Sequence, residues 1–94
     1  MNVYRYTEVN HPNIKLEFVL AAKSHEDAFK NLGISYSSFY KHGMETKSDY
    51  CLDIALSNKN CIFYRLAGHD ATLKKLDPGV SVIEMCEKIA NEIY

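Results

Sequence analysis

Hydrophobic and polar positions alternate twice near the start of the chain. Over residues 2–9, Tyr4 and Tyr6 fall on one side and Val3, Arg5, Thr7 and Val9 on the other. Over residues 14–21, Ile14, Leu16, Phe18 and Leu20 share one side, with Lys15, Glu17 and Val19 opposite. A period of two describes strands with one buried face. The intervening Asn-His-Pro-Asn (residues 10–13) suits a turn, because Pro12 cannot donate to a ladder and the flanking asparagines tolerate turn geometry. The pattern predicts an antiparallel hairpin.

The period then lengthens. Ser24 is placed to accept from the amide of Asp27 and start a helix, and Glu26 and Asp27 suit its positive end. Ala28, Phe29 and Leu32 form a short apolar stripe that Gly33 ends, since a left-handed residue after a helix costs least as glycine. Ile34 falls where it can close back against Phe29. Ser35 caps a second short helix carrying Tyr36, Phe39 and Tyr40, stopped by Gly43.

Residues 46–60 fit two periods. Tyr50, Leu52, Ile54 and Leu56 alternate as in a strand, whereas Leu52, Ala55 and Leu56 share a helical face and Thr46 with Asp49 has capping-box spacing. Leu and Ala favour the helix, and Asp53 is unwelcome inside a strand. On that reading residues 61–67 are a third strand; on the other, residues 49–67 are a second hairpin turning at residues 57–60. The last segment reads more simply. Asp77-Pro78-Gly79 is a turn, Ser81 and Glu84 form a capping box, and Val80 is placed to staple against Met85. Val82, Met85, Cys86, Ile89, Ala90 and Ile93 make one apolar face, with Glu87, Lys88, Asn91 and Glu92 opposite. Burial of each large apolar side chain contributes about 1.5–3 kcal/mol, so this helix packs on something, and the Leu16–Phe18–Leu20 face is the natural acceptor. The expected fold is α+β, one domain over residues 1–94. It has a small antiparallel sheet, made of the N-terminal hairpin and a strand near 61–67, with helices packed on one face.

Composition narrows the function classes. With 47% hydrophobic and 24% charged residues the chain has an ordinary globular make-up. It lacks the run of roughly 18 apolar residues that a membrane span needs and the apolar N-terminal core of a secretion signal. Three cysteines, Cys51, Cys61 and Cys86, without CxxC spacing, read as reduced thiols rather than a disulfide framework. A cytoplasmic protein is the expectation. Eleven Lys and Arg against twelve Asp and Glu, interspersed, leave no basic run for gripping phosphates.

Residues 28–42, AFKNLGISYSSFYKH, resemble the helix-turn-helix of DNA-binding regulators. Gly33 stands as the turn glycine, Leu32 and Ile34 flank it as that motif expects, and Phe39 falls at a core position of the second helix. The segment departs from the motif at Phe29, where a small residue is expected, and at His42, where an apolar one is. The resemblance implies a small DNA-binding regulator reading through residues 35–42. That helix offers Ser35, Tyr36, Ser37, Ser38 and Tyr40, which can touch phosphates, in place of the Arg, Lys, Asn and Gln that read bases.

Nothing in the pattern points to catalysis, a metal or a cofactor. His11, His25, His42 and His69 lack the close second ligand of a zinc site. His69 beside Asp70 reads as a loop, Cys86 lies on an apolar helix face, and the four glycines are isolated. The aromatic content stands out, with seven tyrosines and no tryptophan, several of them near residues 36–50. Tyrosine suits interfaces because it buries a large ring while keeping a polar tip. In size, composition and strand–strand–helix order the chain resembles the small accessory proteins of phages and mobile elements, including inhibitors of bacterial defence such as anti-CRISPR proteins. That resemblance implies a non-enzymatic protein that acts by occupying a protein partner. Tyr36, Tyr40, Lys41 and His42, or the acidic Asp49 and Asp53, are the expected contacts.

Overall fold

The computed structural model of the chain describes residues 1–9, 14–67 and 72–93, with Ile93 described by its backbone alone. The alternating segments become strands β1 (Asn2–Glu8) and β2 (Leu16–Ala22). They pair antiparallel, with Tyr4 opposite Leu20, Tyr6 opposite Phe18 and Glu8 opposite Leu16. The turn expected at residues 10–13 lies outside the described residues. The chain continues through α1 (His25–Leu32), α2 (Tyr36–His42), β3 (Gly43–Glu45), α3 (Asp49–Ser57), β4 (Ile62–Leu66), β5 (Lys74–Lys75) and α4 (Val82–Ile93). The strands form an antiparallel sheet in the order β3-β1-β2-β4-β5. The α+β class and the C-terminal helix are as the sequence predicts, and the ambiguous segment at residues 49–57 is a helix.

Local chemistry explains the helix ends. The Ser24 hydroxyl accepts from the amide of Asp27 at 3.1 Å, and the Asp27 carboxylate reaches back to the amide of Lys23 rather than Ser24, at 3.0 Å. Helix α1 closes on Gly33 at φ +70°, where the Gly33 amide donates to the Lys30 carbonyl and the Ile34 amide to the Phe29 carbonyl, both at 3.1 Å. That paired closure satisfies two otherwise orphaned carbonyls. Ser35 caps α2 through the amide of Ser38, and Ser81 caps α4 through the amide of Glu84. The cap of α3 is Ser48, accepting from Cys51, and not Thr46, whose hydroxyl accepts from the amide of Ser48. Pro78 and Gly79 (φ +85°) form the turn that sends the chain from β5 into α4, closed by the Val80 amide on the Asp77 carbonyl at 3.2 Å.

Two apolar clusters lie on opposite faces of the sheet. On one, Tyr4, Tyr6, Leu16, Phe18 and Leu20 pack with Ala28 and Leu32 of α1, Phe39 of α2, and Val82, Met85, Cys86 and Ala90 of α4. On the other, Val3, Val19, Ala21 and Phe63 pack with Cys51 and Ala55 of α3. The expectation that the helices share one face therefore holds for α1, α2 and α4 and is corrected for α3. The reason is visible in β2, whose second face carries Val19 and Ala21 beside Glu17, and those two apolar side chains need a cover as much as Phe18 does. The small side chains of Cys51 and Ala55 let α3 come close to that face. Tyr4 and Tyr6 are buried, and Tyr64 packs against the first cluster with its ring 6.5 Å from that of Phe18.

The outer edges of the sheet are short. Strand β1 is covered over Tyr4–Tyr6 by β3, and the far edge is the two-lysine β5. Short, charged edge strands resist pairing with other chains. Helix α2 passes into β3 without a loop, and Gly43 makes that junction possible. A Cβ there would stand 2.7 Å from Cδ2 and Cε2 of Phe39 and 2.8 Å from the Phe39 carbonyl oxygen. Gly43→Ala is expected to push Phe39 off the sheet and cost about 1–3 kcal/mol. Urea unfolding would show this as a lowered midpoint at unchanged slope, and an unaltered midpoint would mean that the junction has room to spare.

Candidate functional site

Helix α2 divides its side chains between core and solvent. Phe39, 2% exposed, sits over β1, its ring 6.0 Å from that of Tyr4 and stacked 6.3 Å from that of Tyr6. The His25 ring meets the edges of the same group, 4.9 Å from Tyr4 and 5.7 Å from Phe39. With Phe39 facing inward, the spacing of the helix turns Tyr36 and Tyr40 outward, four residues apart on one side. Their rings stack at 6.0 Å and 26°, and they remain 62% and 76% exposed. Phe29 of α1 supports this pair from below, edge-on to Tyr36 at 5.8 Å. Lys41 and His42 finish the helix, both exposed.

The residues expected to make partner contacts therefore separate into two groups. Tyr36, Tyr40, Lys41 and His42 stand together on α2, on the side of the first cluster. Asp49 and Asp53 are exposed on α3, across the sheet. Tyr50 is not part of the α2 aromatic group either. Its hydroxyl accepts from the Leu73 amide at 3.0 Å and its ring lies 5.8 Å from the Arg65 guanidinium carbon, so it fastens α3 to the far face. Arg65 also pairs with Glu17 at 3.5 Å, both largely buried. Two residues escaped the sequence reading. Phe29 looks like an ordinary core position, and its service to Tyr36 depends on the tight Gly33 turn. Met44 is half exposed on β3 beside Arg5, and three residues give too short a pattern to announce a strand.

The helix–Gly33–helix corner is present, but α2 lies against the sheet through Phe39 and is tethered at its end to β3. Ala28 is fully buried one place before the position where the motif wants a small residue, and Phe29 is only partly buried. The basic residues flanking α2 are engaged: Lys30 pairs with Glu26 at 2.9 Å and Lys47 with Glu45 at 3.1 Å.

Elsewhere the described residues carry little chemistry. A concavity of about 520 Å³ opens between the end of α1, the start of β4 and the turn before α4, lined by Leu32, Cys61, Ile62, Lys75, Leu76 and Val80 among others. No group of three or more His, Cys, Asp or Glu side chains among the described residues is placed to hold a metal, and none of the described helices is long and apolar enough to cross a membrane. Residues 68–70, with His69 and Asp70, lie outside the described residues. Cys51 stands in the first turn of α3 but is buried, and all three cysteines are free thiols. Inside the first cluster the Tyr6 hydroxyl donates to Glu8 at 3.0 Å. Burial, then the Glu8 charge, pushes the Tyr6 phenol well above its ordinary range. Burial likewise raises the Cys86 thiol from 9.0 to about 11, with the charges of Glu8 and Glu87 adding to it. Comparisons with protein-family models, with curated proteins and with solved structures each return no match.

Two outcomes follow. The fold holds Cys86 protonated past the pH at which the unfolded thiol ionises. Its contribution to stability is therefore complete below pH 9 and lost as pH rises from 9 toward 11. In urea titrations across that range, the stability gap between wild type and Cys86→Ala narrows as pH rises; a gap that stays constant would contradict the burial of this thiol. Tyr50→Phe, which strips the acceptor from the Leu73 amide, costs about 1 kcal/mol, whereas Tyr40→Phe leaves stability unchanged. Equal effects of the two would mean that the Tyr50 hydroxyl anchors nothing.

Proposed function

We propose that this chain is a small non-enzymatic binding protein of the cell interior that acts by occupying a protein partner, with the outer side of α2 as the contact. The observation that carries this reading is the stacked Tyr36–Tyr40 pair, held in water by a helix whose own anchor, Phe39, is fully engaged. Isolated exposed apolar residues are ordinary, but two adjacent large rings propped by a third are not required by the core. The helix reads Tyr-Ser-Ser-Phe-Tyr-Lys-His. Tyrosine brings contact area with little rotamer entropy to lose, and serine brings adaptable hydrogen bonds, the mix that antibody loops use for protein surfaces. Free thiols at Cys51, Cys61 and Cys86 suit a reducing compartment. The resemblance to phage and mobile-element accessory proteins extends the reading to an inhibitor that blocks a host protein.

A second reading has the Gly33 corner in its favour: a small DNA-binding regulator presenting α2 to a duplex. It has less support, because the exposed side of α2 offers Ser and Tyr where base recognition uses Arg, Lys, Asn or Gln.

Tyr40→Ala is expected to weaken capture of the partner by about tenfold or more while shifting stability by less than about 0.5 kcal/mol. A large fall in thermal midpoint would instead make Tyr40 part of the core. Binding to random duplex at low salt, weakening steeply as salt rises, would move the conclusion to the regulator; the binding-protein reading expects none.

A further inference from the structure

We propose that the partner segment received by α2 is acidic, with carboxylates that meet Lys41 and His42 and apolar side chains that lie across the Tyr36–Tyr40 rings. This rests on the reading of α2 as the contact surface and adds the chemistry of what docks there. Positive charge is left over on this segment after the protein has paired its own. Helix α2 bears no carboxylate, and its two basic residues, Lys41 and His42, stand together in its last turn. The carboxylates on the flanking elements are already engaged: Glu26 with Lys30, Asp27 with the amide of Lys23, and Glu45 with Lys47. Residues 23–47 hold four lysines against three acids, a net +1 before either histidine is counted, in a chain whose total is −1. The remainder of the chain is therefore −2. The segment that carries the exposed rings is thus net positive in a chain whose remainder is slightly acidic. Complementary charge at an interface steers the approach and fixes register. A basic partner would instead set its cations against Lys41 with no free carboxylate on α2 to receive them.

The test is a titration of the isotope-labelled full chain, followed by amide NMR at low salt. The three probes are a short synthetic peptide alternating Glu with Leu, its counterpart with Lys in place of Glu, and a short oligothymidylate. The Glu peptide is expected to shift amides within residues 36–42. Lys41→Glu should weaken its binding about fivefold, and Tyr40→Ala should weaken it further. Lys88→Glu, the same charge change on the exposed side of α4, should leave it unchanged. If the Lys peptide shifts the α2 amides as strongly as the Glu peptide, the acidic assignment is overturned while α2 remains a contact surface. If neither peptide moves those amides, both this inference and the choice of α2 fail together. If the oligothymidylate binds there more tightly than the Glu peptide, the surface belongs to nucleic acid and the inference is wrong.

Discussion

The burial of β2 on both faces is the constraint from which the rest of the architecture follows. All seven residues from Leu16 to Ala22 are buried. A central strand with Leu16, Phe18 and Leu20 on one face and Val19 and Ala21 on the other leaves apolar area on two sides, and a short chain must cover both. Helices α1, α2 and α4 cover the first. Helix α3 covers the second, and the chain can deliver it there because β3 carries it from α2 along the outer edge of β1. The far face also holds a sheltered ion pair, Glu17 with Arg65, beside the ring of Tyr50. A buried pair of that kind contributes less to net stability than to fixing which groups must meet, because desolvating both charges offsets much of their attraction.

Helix α2 links this architecture to the proposed activity. Seven residues are too few for a helix to persist in water unaided. It is held by the Ser35 cap, by Phe39 against Tyr4 and Tyr6, and by the continuous backbone through Gly43 into the sheet. Each of these contacts lies at an end of the helix or on its inner side. The outer side is thereby left in one defined position without being used for folding. Rings presented in this way lose little further freedom on binding, which is the advantage of a preorganised contact surface.

The same tyrosine chemistry serves different ends in different places. Tyr6 gives its hydroxyl to Glu8 inside the first cluster, and Tyr50 accepts from a backbone amide at the margin of the second. Tyr36 and Tyr40 are mostly in solvent. The hydroxyl allows a large ring to sit at any depth provided its tip finds a partner. For that reason tyrosine count alone does not locate an interface, and the sequence reading grouped Tyr50 with α2 although it belongs to the opposite face.

What the sequence determined by itself was local. The hairpin strands, the strand near 61–67, the caps at Ser24, Ser35 and Ser81, the left-handed ending at Gly33 and the amphipathic last helix all follow from interactions between residues close along the chain, where a period or a capping spacing suffices. The outward placement of Tyr36 and Tyr40 was partly legible too, since Phe39 between them reads as the core position of a short helix. Tertiary structure decided which side of the sheet each helix takes, that β1 is an inner strand, that Tyr4 and Tyr6 face the core, and that Asp49 and Asp53 stand apart from α2. Those outcomes depend on what lies across a strand or beneath a helix, and such contacts join residues far apart in the chain. A strand with apolar residues on both faces states that two covers are needed without saying which segment supplies either one.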